Sequence, residues 1–237
     1  MAEGSLTSHF GRPLVDLLAV RLRESWSQFD VDRFRAAVEP LDNLGLMKRV
    51  DAIADALGAV LPPEPEEAWG VVGPALGEPL GPDGQTFNDG YWMLPLAKYW
   101  TRHHLDSLRV SLRALEELTQ RGTAEFAIRG FVERYPQEIT PWIDRWTHHE
   151  SFHVRRLASE GTRLYLPWGG RLKVAAERSV EYFRLISRMA SDESKYVRRS
   201  VGNHARDLRK VMPEVVEHWE ADAALPADVA RLAAARG

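Results

Sequence analysis

Two charged segments of the chain combine acidic and basic side chains at helical spacing. Arg156 and Glu160 are four residues apart, which places them on one face of a helix. Arg199, Asn203 and Asp207 form a matching polar stripe further along the chain. A carboxylate held among guanidinium groups can stabilise positive charge as it develops on a substrate. If the fold brings the two segments together, the sequence predicts carboxylates set among guanidinium groups, facing a groove.

These segments lie within stretches of sequence that read as copies of one another. Residues 153–161 align with residues 196–204 at an offset of 43, and Glu150-Ser151 aligns with Glu193-Ser194 at the same offset. A period in the low forties is typical of stacked helix pairs of the HEAT or armadillo type. Stacking would line up equivalent helices along one concave surface and place Glu160 near the stripe that ends at Asp207.

Most of the chain shows helical apolar spacing. Two N-terminal segments carry stripes with residues three or four apart: Leu14, Leu17, Leu18 and Leu22, then Leu46, Val50, Ile53, Ala54 and Leu57. We predict an all-α, HEAT-like helical-repeat solenoid with a concave basic groove, as a single domain over residues 1–237. Residues 1–90 would form a helical cap and residues 91–237 the repeat array. Residues 77–90 are the clearest long loop.

Some charged residues of the two copies have two possible roles. The buried face of each copy is predicted from its apolar residues: Val154, Leu157 and Ala158 in the first copy, and Val197, Val201 and Leu208 in the second. Arg155 and Arg198 follow valines, a pair that HEAT repeats use as architecture. Asp192 and Glu193 are suitable partners for such arginines. For Arg156, Glu160 and Asp207, composition leaves the architectural and functional interpretations equally open.

Charge is distributed unevenly along the sequence. The net charge is -3, yet residues 1–120 carry -7, residues 121–210 carry +7 and residues 211–237 carry -3. A basic segment in an acidic protein favours a polyanionic partner such as nucleic acid, because polyanions respond to the local field. Chance clustering of solvated arginines is the alternative.

The sequence lacks the motifs of the common cofactor enzymes. It contains no phosphate-binding loop, no Gly-x-Gly-x-x-Gly, no Gly-x-Ser-x-Gly and no zinc-deaminase signature. It has no cysteine, which excludes thiolate metal sites and fits a reducing cytoplasm. No secretory signal or membrane-spanning stretch is visible. We expect a cytoplasmic monomer without cofactor or metal.

A tryptophan follows the first copy on a predicted turn. Trp168 stands between Leu166-Pro167 and Gly169-Gly170. An exposed tryptophan on a loop can stack on a base or against a sugar. The alternative is an anchor that closes the end of a repeat.

Three segments in the second half of the chain together form a recognisable signature. Residues 124–129 read AEFAIR, residues 146–168 contain VRRLASEGTR and end in LPW, and residues 196–210 contain VRRSVGN followed by Asp207. In this order they resemble the AlkC family of bacterial alkylation-repair DNA glycosylases. The resemblance implies HEAT-like repeats and excision from double-stranded DNA of bases methylated at ring nitrogen 3, chiefly 3-methyladenine.

The resemblance also implies roles for individual residues. Glu160, Asp207 and Glu125 match catalytic motif positions, and Glu160 is the first choice for stabilising the oxocarbenium-like sugar as the cationic base departs. Arg156 would hold the carboxylates and contact phosphate or the abasic product. Further DNA contacts are expected from Arg155, Arg163, Arg199, Asn203 and Trp168.

Several positions depart from the family pattern. Gly130 replaces a proline, Leu164-Tyr165 replaces Pro-Arg and Ala205-Arg206 replaces Leu-Asn. The second of these removes a positive charge near the expected DNA. We also expect the protein to lack the immunoglobulin-like C-terminal domain that many members of the family carry. Two alternatives to a glycosylase stay open: a HEAT scaffold that binds a protein, and a DNA-binding protein without catalysis.

Overall fold

The structure is a computed structural model that describes residues 6–38, 40–81 and 89–235. Half of the predicted loop at 77–90, residues 82–88, lies outside the described residues. The chain divides into two compact units, Met1–Ala127 and Ile128–Gly237. The predicted division into a cap over residues 1–90 and a repeat array over residues 91–237 stays a prediction.

In the described part of the first unit, the regular elements are all helices. Its α-helices are α1 (Arg12–Ser25), α2 (Val31–Ala37), α3 (Leu46–Gly58), α4 (Pro65–Ala75), α5 (Leu94–His103) and α6 (Leu108–Thr119), with short 3-10 segments at Leu6–His9 and Tyr91–Met93. Prolines stand in the first turns of α1, α4 and α5, where the missing N–H costs no hydrogen bond. Asp30 caps α2 by accepting from the Arg33 N–H at 2.9 Å.

The apolar stripes of the first unit form its core with one exception. Every residue of the predicted stripe in α3 is buried, and so are Leu14, Leu18 and Leu22 of α1. Leu17 is 36% exposed, so the α1 stripe is narrower than its sequence spacing indicates. The helical period nevertheless locates both helices correctly.

The second unit contains the two copies and the connections between them. Its elements are α7 (Glu125–Arg134, which begins in the first unit), α8 (Thr140–Thr147), α9 (Phe152–Gly161), strands β1 (Tyr165–Leu166) and β2 (Gly170–Arg171), α10 (Ala176–Ile186), a 3-10 segment at Ser187–Ser191, α11 (Lys195–Arg209), α12 (Pro213–Asp222) and α13 (Ala227–Ala234). The strands pair antiparallel, with Tyr165 opposite Arg171. The all-α class is confirmed, because these two-residue strands are a minor addition to the described helices.

Helices α9 and α11 are the two copies, and they pack against one another. The apolar residues predicted to face inward are buried in both helices. On α11, Gly202 permits close approach of α13, since a Cβ at this position would lie 2.6 Å from the Leu232 Cβ. No described helix has the length and apolar character needed to cross a membrane. The predicted concave basic groove stays a prediction.

Candidate functional site

Arg155 ties the first copy to the start of the second. Its Nη1 donates to the carbonyl oxygens of His149 and Glu150 at 2.9 and 2.8 Å. Its Nε and Nη2 donate to the two carboxylate oxygens of Asp192 at 2.7 and 3.0 Å, and Nη2 also reaches Glu193 at 3.4 Å. The architectural interpretation of Arg155 is thereby confirmed. Its expected DNA contact stays a prediction, and these internal bonds give it no support.

Arg198 repeats this pattern 43 residues later. Its Nη1 donates to the carbonyl oxygens of Asp192 and Glu193 at 2.7 and 3.2 Å, the same two sequence offsets as in Arg155. Its Nε donates to Asp228 at 3.0 Å. Sequence analysis identified the acidic partners of Arg155 but missed Asp228. The second arginine therefore also joins its own helix to a later one, α13.

The predicted carboxylates of the two copies meet at one guanidinium group. Arg163 donates from Nη1 to Glu160 Oε1 at 2.6 Å and from Nε to Asp207 Oδ2 at 2.9 Å. Ser200 donates to the other oxygen of Glu160 at 2.6 Å. The exposed fractions of Glu160, Arg163 and Asp207 are 7%, 5% and 2%. Glu160 thus lies near the Asp207 stripe with arginine beside both, as predicted, although Arg163 was expected to contact DNA.

The charges around Glu160 keep it ionised. Burial alone would raise the pKa of Glu160, but the charges of Arg156 and Arg163 and the hydrogen bonds from Ser200 and Arg163 outweigh burial and lower it. Glu160 is therefore a carboxylate at neutral pH and cannot donate a proton as a general acid. Burial would lower the pKa of Arg163, and the two carboxylates raise it instead. The site therefore holds two carboxylates on one guanidinium group, with Glu160 ionised.

Arg129 connects this acid cluster to the β1–β2 hairpin. Its Nη1 donates to the Arg163 carbonyl oxygen at 2.7 Å, and its Nη2 donates to the Gly170 carbonyl oxygen at 2.9 Å. Arg129 is only 5% exposed, and burial lowers its pKa. Sequence analysis assigned Arg129 no role. The available signal was its position within AEFAIR, one of the family segments.

His204 supports the same cluster from α11. Its Nδ1 lies 3.1 Å from the carbonyl oxygen of Ser159, and Ser159 Oγ lies 2.9 Å from Ser200 Oγ. Burial lowers the pKa of His204 to about 4, so the ring is neutral at neutral pH and donates from Nδ1. Because Ser200 gives its single proton to Glu160, the Ser159 hydroxyl donates to Ser200. The residue before Glu160 is thus held at both its carbonyl and its hydroxyl.

The remaining predicted residues lie in different surroundings. The Arg156 guanidinium stacks over the Tyr196 ring at 4.5 Å. On α11, Arg199 is exposed and Asn203 is partly buried. Glu125 is buried at the first residue of α7, in the first unit. The catalytic role of Glu125 and the DNA contacts of the other three stay predictions.

Trp168 is the exposed tip of the hairpin. Its side chain is 60% exposed, and its backbone has φ of 60°. A bulky residue rarely adopts this left-handed conformation, so the turn carries local strain. The exposure favours the stacking interpretation over an anchor, but the stacking itself stays a prediction. Among the described residues, no group of three or more histidine, aspartate or glutamate side chains is placed to hold a metal ion.

Comparison with known proteins gives two strong similarities. The structure of the Pseudomonas fluorescens alkylpurine DNA glycosylase AlkC, bound to DNA containing an abasic site analog, aligns with a TM-score of 0.85 and 30% sequence identity. The alignment covers 98% of this chain and 64% of that one. The predicted resemblance to the AlkC family is confirmed. The helical-repeat class is confirmed with it, since the AlkC fold is a helical-repeat fold.

The second similarity comes from sequence. The uncharacterised protein YhaZ of Bacillus subtilis (strain 168) is 30% identical over 216 residues, which cover 89% of this AlkC-like chain and 58% of YhaZ. The chain thus spans roughly three-fifths of the length of each of these two proteins. No protein-family model matches it.

Proposed function

We propose that the protein is a DNA glycosylase of alkylation repair. It would hydrolyse the N-glycosidic bond of cationic alkylated bases, such as 3-methyladenine, in double-stranded DNA. The observation that carries this proposal is the pair of carboxylates, Glu160 and Asp207, held on one guanidinium with Glu160 ionised. The similarity to AlkC supports the same class of reaction.

The ionised state of Glu160 suits a substrate whose leaving group already carries positive charge. A neutral base leaves with difficulty unless an acid protonates it, and Glu160 has no proton to give. A base methylated at ring nitrogen 3 is cationic and departs as a neutral molecule. Positive charge then develops on the deoxyribose, where a fixed carboxylate lowers the barrier. Glu160 would supply this field, and Asp207 would assist it.

The surrounding residues divide into positioning and binding roles. Arg163 would keep both carboxylates in place through its hydrogen bonds to them. Arg156 would contact the phosphate or the abasic product with its donor fork. Glu125 belongs to the first unit, and its expected catalytic role stays a prediction. Trp168 and the basic residues of α11 would contact double-stranded DNA, and the protein would act as a monomer without cofactor.

One observation favours a second candidate, a DNA- or protein-binding scaffold without catalysis. Arg163 and Ser200 occupy both oxygens of Glu160, and such bonds are also found in purely structural ion pairs. The two candidates differ in one outcome, because a scaffold releases no base. A scaffold whose ion pair is purely structural should also bind DNA with a charged sugar and DNA with a neutral sugar equally well.

Base release tests the proposal directly. Purified protein is incubated with methylated duplex DNA and with undamaged duplex, and the released bases are separated by chromatography. We expect release of 3-methyladenine from the methylated duplex alone. Glu160→Gln should lose roughly 100-fold or more of the rate, the size expected for removing a preorganised charge. Equal rates for folded Glu160→Gln and wild type would reject the assignment, and no release by wild type would favour the scaffold.

A further inference from the structure

Two cations converge on one aromatic ring beside the hairpin. The Arg171 guanidinium lies 6.0 Å from the centre of the Tyr165 ring, and the Lys210 ammonium lies 5.7 Å from the same centre. Arg171 and Lys210 are exposed, whereas Tyr165 is partly buried and packs against the core cluster that includes Leu164 and Leu208. The ring is therefore a fixed platform, and the two positive charges lie over it.

This platform is attached to the acid cluster through the backbone. Lys210 lies directly after α11, and its N–H donates to the carbonyl oxygen of Asp207 at 3.4 Å. Arg171 stands opposite Tyr165 in the hairpin, next to Gly170, whose carbonyl oxygen accepts from Arg129. The same Arg129 holds the carbonyl oxygen of Arg163. Both cations are therefore positioned by residues that also position the carboxylates.

Arg209, which precedes Lys210 in the sequence, shows that a cation here can be engaged by internal contacts and so be unavailable to a ligand. Arg209 is tied to the Ala233 carbonyl oxygen at 3.0 Å and to Glu220 at 2.5 Å. For the side chains of Arg171 and Lys210, the contacts given by the described residues are with the aromatic ring, which neutralises no charge. Two like charges on one ring repel one another, and an anion close to both would remove that cost.

We propose that Tyr165, Arg171 and Lys210 form a binding site for the DNA phosphate backbone. The proposal rests on the proposed function, which supplies DNA as the partner, and it adds a contact that the acid cluster does not make. Tyr165 stands where the family pattern has arginine, and sequence analysis expected this replacement to weaken the positive field. Instead, two cations, Arg171 and Lys210, lie over the Tyr165 ring, where the family pattern has a single arginine. The site would hold the backbone beside the hairpin whose tip is Trp168.

Salt-dependent DNA binding tests the site without requiring catalysis. Affinity for a short undamaged duplex is measured by fluorescence anisotropy over a range of salt concentrations. Arg171→Gln/Lys210→Gln should weaken binding roughly tenfold at low salt and reduce the slope of log affinity against log salt by about 2, about one for each lost contact. Tyr165→Leu should weaken binding about threefold because it loosens both cations, while Tyr165→Phe should bind as wild type does.

A matched control separates this site from general loss of charge. Arg184→Gln/Arg231→Gln also removes two exposed positive charges from the second unit, on α10 and α13. This control should reduce the slope by less than half as much, and urea denaturation should show both double variants folded. Equal slopes for the two double variants would overturn the proposal. The charge-preserving variant Arg171→Lys/Lys210→Arg should bind as wild type does, and a loss there would also contradict it.

Failure of the phosphate site can be distinguished from failure of the proposed function. If wild type releases methylated bases and the double variant keeps its full salt slope, the phosphate site fails and the glycosylase assignment stands. If wild type releases no base but the double variant loses its salt slope, the glycosylase assignment fails and the phosphate site stands. Because binding is measured on undamaged DNA, neither result depends on lesion preference.

Discussion

The two copies, α9 and α11, share their architecture and differ in their chemistry. Arg155 and Arg198 are equivalent at the offset of 43, and each donates to carbonyl oxygens six and five residues earlier in the chain. Each then reaches a carboxylate of a following element, Asp192 or Asp228. These bonds join each copy to a later part of the second unit. The repeated residues are therefore the ones that build the stack.

The positions that differ carry the candidate site. Glu160 of the first copy is equivalent to Asn203, and Asp207 of the second copy is equivalent to Leu164. Each copy thus contributes one carboxylate, and in the aligned copies the positions of Glu160 and Asp207 differ by four residues, about one helical turn. Arg163 bridges them, at 2.6 Å and 2.9 Å. The comparison teaches that the repeat supplies the scaffold, while departures from the repeat create a charged site that neither copy holds alone.

Arg163 and the equivalent Arg206 give the largest expected difference in stability between the two copies. Arg163 is 5% exposed and bound to two buried carboxylates, while the equivalent Arg206 is partly exposed. Arg163→Leu would leave both negative charges without their shared partner and should destabilise the fold by about 3–5 kcal/mol. Urea denaturation of Arg163→Leu at neutral pH measures this loss.

Arg206→Leu is the matched control. It should change the free energy of unfolding by about 0.5 kcal/mol or less, the usual size for a surface position. Similar losses of unfolding free energy in Arg163→Leu and Arg206→Leu would show that the two arginines do not differ in their structural role. A small loss for Arg163→Leu would mean that the carboxylates are not held by this guanidinium.

A smaller effect is expected from the histidine through which the second copy supports the first. The pKa of His204 is about 4 in the folded protein, against 6.5 for an unperturbed histidine. Between these values the unfolded chain binds the proton and the folded chain does not, so stability falls as pH falls from 6.5 towards 4. The separation corresponds to about 3 kcal/mol. The free energy of unfolding, measured across this pH range, gives the loss.

His204→Gln isolates this contribution from other titrating groups. His153 also has a pKa lowered to about 4, by burial and by the charge of Arg156, so wild type combines both effects. The variant should lose about 3 kcal/mol less than wild type between pH 6.5 and 4. Identical pH profiles would show that His204 is not buried in its neutral form against Ser159.

Sequence analysis identified the repeat and the meeting of the acids, for clear physical reasons. The 43-residue offset fixes which residues share a face, and stacking equivalent faces brings Glu160 towards Asp207. The partner of Arg155 was also predictable, because Asp192 and Glu193 directly precede the second copy. The resemblance to AlkC supplied the reaction class, which periodicity and composition alone leave open.

The parts that escaped prediction depend on side-chain directions outside the repeat. Arg163 lies beyond the end of α9, where helical periodicity no longer sets which way a side chain points. Ser200 and Arg129 reach the site from other elements, at sequence separations of 40 and 34 residues from their partners. The Tyr165 platform arises from strand pairing in a hairpin of two-residue strands, which leaves little periodic signal.

The account depends on a fixed carboxylate that favours positive charge on the deoxyribose, and one binding ratio tests it most directly. Two duplexes are compared, one with a cationic pyrrolidine in place of the abasic sugar and one with a neutral tetrahydrofuran of similar shape. Wild type should bind the cationic duplex at least about 100-fold more tightly, as expected for an analogue of the transition state. Glu160→Gln should lose most of that preference. Equal affinities in wild type, or a preference that persists in folded Glu160→Gln, would contradict the account.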